Sequence, residues 1–385
     1  MNQDWLTDHL EDLQQKNLRR HLRTCSSPQS SRTTIDGKEV INFCSNDYLG
    51  LANDPRLYSA ASRAMAQYGF GAGASRLVCG NMAPHEELET ALADLKKTQS
   101  ALVFNSGYAA NTGAISALFG RGDIIFADKF NHASIVDGII LSRAEFKRYP
   151  HGDMQALEEA LKQSTGYKKR LIVTDSVFSM DGDAAPLNTI VALARRYDAW
   201  VMVDEAHAFG VLGENGGGLA EAMGLGADID IQMGTLSKAA GCLGAYVCGG
   251  KELREYLINH ARSFIYTTAM PPALAAAARC AVGIIGGPEG QQRREQLKSN
   301  AGYIRTGLKA LGFDTMNSNT PIIPVLVKNA ARAVAMSGRL LEQNIFVQAM
   351  RPPTVPVYAA RLRVTVTATH TKEDLDCLLE GMKSL

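Results

Sequence analysis

Short apolar runs rich in Val and Ile recur from Ser100 to Gly249, separated by stretches in which apolar residues return every three or four positions. Continuous apolar strands alternating with helical segments are the mark of an α/β fold whose sheet is mostly parallel and covered on both faces. The pattern predicts seven strands, near Ala101–Phe104, Ile124–Ala127, Phe146–Tyr149, Leu171–Thr174, Trp200–Val203, Ile229–Met233 and Ala245–Cys248. Ahead of them, Trp5 to Arg23 predicts an amphipathic helix with Arg19 and Arg20 near its end, where arginines face water and favour the helix dipole. A strand at Val40–Phe43, a glycine-ended turn at Asn46–Gly50 and a helix from Arg56 to Tyr68 follow. Beyond the sheet, about 251 to 311 predicts a long helical region, turned at Pro271-Pro272 and broken at Gly286-Gly287-Pro288. A helix Ala331–Gln343, strands Ile345–Gln348 and Leu362–Val366 and a helix Lys372–Lys383 predict a small C-terminal α/β domain. The expected division is an N-terminal helix-and-strand segment, 1–50, a large domain, 51–285, and the small domain, 286–385.

In sheets of this kind ligands bind outside the carboxyl ends of the strands. Ser106-Gly107-Tyr108 follows the first strand and opens a helix, so its N–H groups and hydroxyl suit a phosphate. Asn131-His132 follows the second strand, Asp175 and Ser179 the fourth. Asp204 stands where Trp200–Val203 stops, with His207 three residues on. Thr235, Ser237 and Lys238 end the sixth strand, before the small residues Ala239, Ala240 and Gly241. Desolvation and nearby positive charge lower an amine's pKa, so such a lysine can form a Schiff base. Each residue also has a plainer reading: Lys238 as a solvated lysine at a helix start, His132 as a surface histidine, Asp204 and His207 as a local hydrogen-bonded pair. No requirement of core packing explains the whole set.

Three motif matches fail on context. Gly69-Phe-Gly-Ala-Gly-Ala74 fits a dinucleotide fingerprint but follows a helix rather than a strand. Asp204-Glu-Ala-His207 spells the box of nucleic-acid-stimulated ATPases, yet no phosphate loop of the form G-x-x-x-x-G-K-[ST] stands upstream. His85-Glu86-Glu87 lacks the second histidine of a zinc helix, so no metal is assigned. With 385 residues the chain is long enough for one large domain and a smaller one, and its net charge of +1 gives no ground for a nucleic-acid partner. Seven scattered cysteines without a Cys-x-x-Cys pair read as reduced thiols in a cytoplasmic protein. Met1 to Trp5 begins a polar segment rather than an export signal, and charges break every long apolar run, so no membrane span is expected.

Asp204-Glu-Ala-His207 followed by Gly234-Thr-Leu-Ser-Lys238, with Ser106-Gly-Tyr-Ala-Ala-Asn111 and Asn131-His-Ala-Ser134 upstream, resembles the α-oxoamine synthases. These are pyridoxal 5'-phosphate enzymes of the aspartate aminotransferase fold. Asn46 to Leu51, Val177 to Asp183, Ile265 to Pro272 and Arg351-Pro-Pro-Thr-Val-Pro356 resemble the branch that serves biotin biosynthesis. The resemblance covers nearly the whole chain. It implies that Lys238 carries the cofactor as a Schiff base and acts as base at Cα, that Asp204 pairs with the ring nitrogen, that His207 and Ser179 bond the phenolic oxygen, and that His132 stacks on the ring. Ser106, Gly107, Tyr108 and Thr235 would hold the cofactor or its phosphate, and Thr267 and Thr268 would reach that of a partner subunit in a homodimer. Arg351, with Asn46, would take the alanine carboxylate; Arg19 and Arg20 both fit a further substrate arginine, and Thr354 joins them. The implied substrates are L-alanine and pimeloyl-CoA or pimeloyl-acyl carrier protein. A sister reaction of glycine with acetyl-CoA and a catalytically silent subunit are the alternatives. Two positions depart from the pattern: Asp175 stands where Glu is expected, and Val357-Tyr358 replaces a Gly-Thr, which bears on the acyl pocket.

Overall fold

The computed structural model describes residues 4–385; Met1–Gln3, the start of the polar segment, lie outside the described residues. Thirteen strands are described: β1 (Arg32–Ile35), β2 (Lys38–Asn42), β3 (Ser100–Phe104), β4 (Ile124–Asp128), β5 (Glu145–Tyr149), β6 (Arg170–Asp175), β7 (Trp200–Asp204), β8 (Ile231–Thr235), β9 (Ala245–Gly249), β10 (Ile322–Lys328), β11 (Ile345–Phe346), β12 (Gln348–Met350) and β13 (Ala360–Thr365). The chain forms two compact units. One holds 51–178 and 184–294, the other the N-terminal residues up to Gly50, 179–183 and 295–385.

The larger unit is built on a seven-stranded sheet in the order β3-β9-β8-β7-β6-β4-β5. Only β9 runs antiparallel to its neighbours; β8, β7, β6, β4 and β5 pair in parallel. Strands β4 and β7 are apolar throughout their middles and buried there on both faces, as covered parallel strands must be. The edge strand β5 instead exposes Glu145, Lys147 and Arg148, charges that discourage pairing with another chain. Leu102, Ile125, Val173, Met202, Ile231 and Val247 lie in one core with Ala110, Ala114 and Ile115 of the helix Gly107–Leu118. That helix is thereby pinned with its N-terminus at the carboxyl end of the sheet.

The smaller unit has two three-stranded sheets, β1-β2-β11 and β10-β13-β12. Pro324 sits inside β10, an edge strand where a missing N–H is tolerated, and it interrupts an apolar run that would otherwise mark the strand. The run expected as one strand over Ile345–Gln348 is divided: β11 pairs parallel with β2, and β12 pairs antiparallel with β13. The buried Val347 is the point of division.

The first helix, expected to reach Arg23, spans only Asp4–Gln15. Asn17 turns left-handed at φ 56, and the N–H groups of Leu18 and Arg19 return to the Leu13 carbonyl, which closes the helix. Arg19 and Arg20 therefore lie beyond it. The 251–311 region resolves into helices Lys251–His260, Arg262–Ile265, Pro272–Gly286 and Pro288–Ala310, with Pro272 and Pro288 each in a first turn. The helix Lys372–Lys383 is closed by a capping box between Thr371 and Asp374.

In the larger unit, Asp54 caps the helix Pro55–Tyr68, accepts from the Arg56 backbone and side chain, and shares the Arg56 and Arg293 guanidiniums with Glu289. The bonds from Arg56 hold both carboxyls down, each to about 2. A depressed carboxyl contributes stability that is complete above its unfolded value, near 4, and is lost as pH falls toward the folded one. Stability should therefore drop between about pH 4.5 and 2, and in Arg56→Ala that drop should be shallower. Chemical denaturation at stepped pH measures it, and an identical slope in both proteins would show that the network is idle.

Candidate active site

The carboxyl ends of β4, β6, β7 and β8, and the N-terminus of Gly107–Leu118, bring most of the singled-out residues of the larger unit together. Ser106 caps that helix, its hydroxyl accepting from Ala109 N at 3.1 Å. Gly107 packs so closely on β8 that a Cβ there would stand 3.2 Å from Met233 Cε and 3.9 Å from Thr235. Thr235 Oγ1 donates to the Gly244 carbonyl at 2.9 Å and receives Ser237 N at 3.2 Å. Gly241 has φ +65, and a Cβ on it would collide with the Leu51-Ala52 backbone. Its N–H returns to the Lys238 carbonyl at 2.9 Å, which explains the small residues after the lysine.

The spacing within Asp204-Glu-Ala-His207 separates two tasks. Asp204 is buried and its Oδ1 accepts Ala206 N at 2.8 Å, while His207 Nε2 lies 3.0 Å from Lys238 Nζ. Glu205 instead bonds backbone: its two oxygens take Leu219 N and Ala220 N, each at 2.9 Å. Lys96 Nζ stands 3.9 Å from Glu205 and donates to the Gly217 carbonyl, so the fully buried ions hold the loop behind the site.

Asn131-His132 is pinned to the sheet from both sides. Asn131 Nδ2 donates to the Val173 carbonyl and its Oδ1 accepts Asp175 N, while His132 N donates to Asp175 Oδ2 at 2.8 Å. Burial presses the His132 imidazole below its ordinary value, and the Lys238 charge adds to that against the opposing pull of Asp204. Asp175 pairs in register with Asp204 on the adjacent strand. Burial first, and the neighbouring Asp204 second, push the Asp175 carboxyl well above its ordinary value. The short side chain that departs from the family pattern thus accepts the His132 backbone N–H.

Tyr108 is half exposed and donates to Asp137 Oδ2 at 2.5 Å. Thr267 Oγ1 accepts from Asn105 Nδ2 at 3.2 Å, and the Thr268 carbonyl from the same amide at 2.7 Å, beside the Ser106 cap.

Asn46, Ser179, Arg19, Arg20, Arg351 and Thr354 belong to the smaller unit. Arg20 Nη2 donates to Thr354 Oγ1 at 3.0 Å, and Arg351 Nη2 to the backbone carbonyl of Arg19 at 2.6 Å. The Arg351 Nε is buried without a partner, and burial together with the Arg20 charge presses the guanidinium below its ordinary value. Two guanidiniums held together without a carboxylate suit an anionic ligand.

The sequence reading passed over Arg361 and Arg363. The buried Arg363 joins Asn46 Oδ1, the Ser179 carbonyl and Thr365 Oγ1. Arg361 pairs with Asp181 at 2.7 Å and bonds the Met180 carbonyl. Their place one residue apart from Leu362 on a buried strand was the available signal, since inward arginines on a covered strand need partners. Val357 and Tyr358 are exposed, and Tyr358 takes φ 64, a conformation natural to glycine.

Among the described residues no group of three or more His, Cys, Asp or Glu could hold a metal, and no helix is long and apolar enough to cross a membrane.

Comparison with known proteins places this geometry. The aminotransferase class I and II family pattern matches residues 38–382. An 8-amino-7-oxononanoate synthase of Geobacter sulfurreducens is 54% identical over 377 residues, covering 98% of this chain and 96% of the relative. One from Thermoanaerobacter pseudethanolicus is 48% identical, covering 99% and 96%. Among solved structures, a serine palmitoyltransferase of Sphingomonas wittichii superposes with TM-score 0.94 at 32% identity, over 99% of this chain and 96% of that one. An 8-amino-7-oxononanoate synthase of Francisella tularensis superposes with TM-score 0.76 at 32% identity, over 90% and 97%.

Asp175→Asn keeps an oxygen for His132 N and removes the ionisable proton. Because burial and the neighbouring Asp204 both disfavour the charged carboxyl, the variant should melt at the same temperature or about 2 °C higher at pH 8. Differential scanning calorimetry decides it, and a loss of several degrees would mean that a carboxylate charge is needed there.

Proposed function

The chain belongs to the aminotransferase class I and II family, and from that premise we infer that it uses pyridoxal 5'-phosphate to condense L-alanine with a pimeloyl thioester, giving 8-amino-7-oxononanoate, carbon dioxide and the thiol. The observation that carries the reading is a lysine amine, a buried carboxylate and an imidazole at neighbouring strand ends, in a chain 54% identical over nearly its whole length to a synthase of that name. The residues present fit the cofactor. A buried acid suits a protonated ring nitrogen, an amine a carbonyl carbon, and a capped helix N-terminus packed against Thr235 a phosphate. When bound, the cofactor supplies an electron sink for negative charge at the amino acid's Cα.

The remaining work falls to side chains. Asp204 would keep the ring nitrogen protonated, with His207 beside the Lys238 amine and His132 on the ring face. Ser106, Gly107, Tyr108 and Thr235 would hold the phosphate end, and Ser179 would reach the phenolic oxygen. Lys238, placed by His207 Nε2, would take the proton from alanine Cα and later return one. The freed electron pair attacks the thioester carbonyl, the thiolate leaves, and the alanine carboxyl departs as carbon dioxide.

Substrate anions would be met in the smaller unit. Asn46 Oδ1 receives the Arg363 guanidinium and the Tyr48 hydroxyl, which leaves the amide N–H groups for a carboxylate. Arg351 and Arg20 form a second cationic pair, so of the two N-terminal candidates the Arg20 side chain is the one engaged with Thr354. A cytoplasmic homodimer is part of the reading. The exposed Tyr266 directly precedes Thr267 and Thr268 in the sequence, apolar surface of the kind expected where those threonines serve a partner's cofactor.

Lys238→Ala should abolish the visible absorption of the cofactor-loaded protein and reduce turnover by at least about 1,000-fold, a loss typical of removing a covalent and acid–base group. Steady-state rates with alanine, glycine and serine, each against pimeloyl and acetyl thioesters, test the substrate. Preference for glycine with acetyl-CoA would replace this reading by the sister reaction, and comparison of CoA with carrier-protein thioesters identifies the donor.

A further inference from the structure

Asn111 lies in the second turn of the helix Gly107–Leu118 and is 1% exposed. Its Nδ2 donates to Asp204 Oδ2 at 2.8 Å and to Ser134 Oγ at 2.9 Å, so both amide hydrogens are committed. Its Oδ1 is buried without a partner. An orphaned buried oxygen is costly, and the reverse orientation, with Oδ1 against the Asp204 carboxylate, would be worse. The amide is held this way round by the two bonds it gives.

Those bonds fix the next proton. Ser134 Oγ receives one Asn111 hydrogen, so its own hydroxyl hydrogen is free to point at His132 Nδ1, 2.7 Å away. Ser134 N also donates to His132 Nδ1, at 3.2 Å. A ring nitrogen that accepts two hydrogen bonds carries no proton, so the neutral ring has its hydrogen on Nε2. The path runs from the Asp204 carboxylate through the Asn111 amide and the Ser134 hydroxyl to the His132 ring.

We propose that Asn111, acting through Ser134, ties the Asp204 carboxylate to the His132 imidazole and holds His132 as the neutral tautomer protonated on Nε2, which makes Asn111 a positioning residue for both. Every link lies within the larger unit and is formed by residues at least nine-tenths buried, apart from His132 itself. The proposal rests on the reading that Asp204 and His132 face the cofactor ring. It adds the reason that an asparagine, rather than a carboxylate or an aliphatic residue, stands between them: a side-chain amide gives two hydrogens from one atom without bringing a charge, one to an anion and one to a hydroxyl. The groups that face the imidazole are Asp204 from β7, Lys238 from the loop after β8, Asp137 from its own helix, and Asp175, which takes its backbone N–H from β6. The two hydrogens described at Nδ1 both come from Ser134, its hydroxyl and its backbone N–H.

The test uses the holoenzyme, labelled with 15N in histidine and with His132 assigned by its absence from a His132→Asn sample. The native spectrum should show Nδ1 unprotonated and hydrogen-bonded, and Nε2 protonated. In Ser134→Ala the Nδ1 resonance should move toward that of an unbonded nitrogen, and Ser134→Thr should restore it. Loss of the hydroxyl donor also removes stabilisation of the neutral ring, so the acid limb of the kcat/KM profile should move to higher pH in Ser134→Ala. A purely structural defect would lower the rate equally across the profile. Asn111→Leu should lower kcat/KM by about 10- to 100-fold, the range for losing a buried hydrogen bond to a charged group. A proton on Nδ1 in the native protein, or an unmoved resonance and acid limb in Ser134→Ala, would overturn the proposal. The spectrum needs no substrate, so it is read independently of the assigned reaction, whose own failure would appear as the wrong substrate preference.

Discussion

A carboxylate taken out of water has to be answered by donors or by positive charge, and Asp204 meets that demand at the point on which this protein is organised. Ala206 N occupies one of its oxygens and the Asn111 amide the other. Neither neutralises it. The Lys238 amine lies near the same strand ends, held 3.0 Å from His207. A second ionised carboxylate in register beside Asp204 is disfavoured, by burial first and by Asp204 second, and the Asp175 carboxyl on the next strand is pushed well above its ordinary value.

The scaffold supports this charge with other buried charges placed so that they do not quench it. Glu205, the next residue, points away and is satisfied by backbone N–H groups and Lys96. The alternation of side chains in extended backbone lets adjacent acids do unlike work, one bonded to Asn111 and Ala206 and one anchoring the loop at Leu219 and Ala220. The smaller unit uses the same device with opposite sign. Arg361 and Arg363 alternate with Leu362 on β13 and hold Asp181, Ser179 and Asn46. In both places ion pairs and hydrogen bonds cost desolvation but define one geometry for the buried side chains.

Much of the larger unit was legible because covered parallel strands are written as apolar runs, and strand ends are where such sheets put chemistry. Lys238, Asp204, His132 and the Ser106–Tyr108 turn could be found by asking what followed each run. The segments that escaped were those whose environment is set from a distance. The first helix stops at Gln15 through a left-handed turn at Asn17 that helical periodicity does not register. Strand β10 carries a proline that counts against it in the sequence and is harmless at a sheet edge. The run Ile345–Gln348 reads as one strand, because nothing local shows that its two ends pair in different sheets.

By itself, the amino-acid order determined the α/β class, the strand ends that bear reactive groups and the kinship with pyridoxal-phosphate enzymes, since each of these is carried by local periodicity or by short motifs. Only the tertiary structure decided which buried polar groups satisfy one another. Asn111 reads as an ordinary residue of a helix, and Arg363 as a misplaced charge in a strand, until Asp204, Ser134 and Asn46 are brought against them. Hydrogen-bond partners separated by 23 to more than 300 residues leave no trace in spacing, because the free energy that selects them arises only once water has been removed.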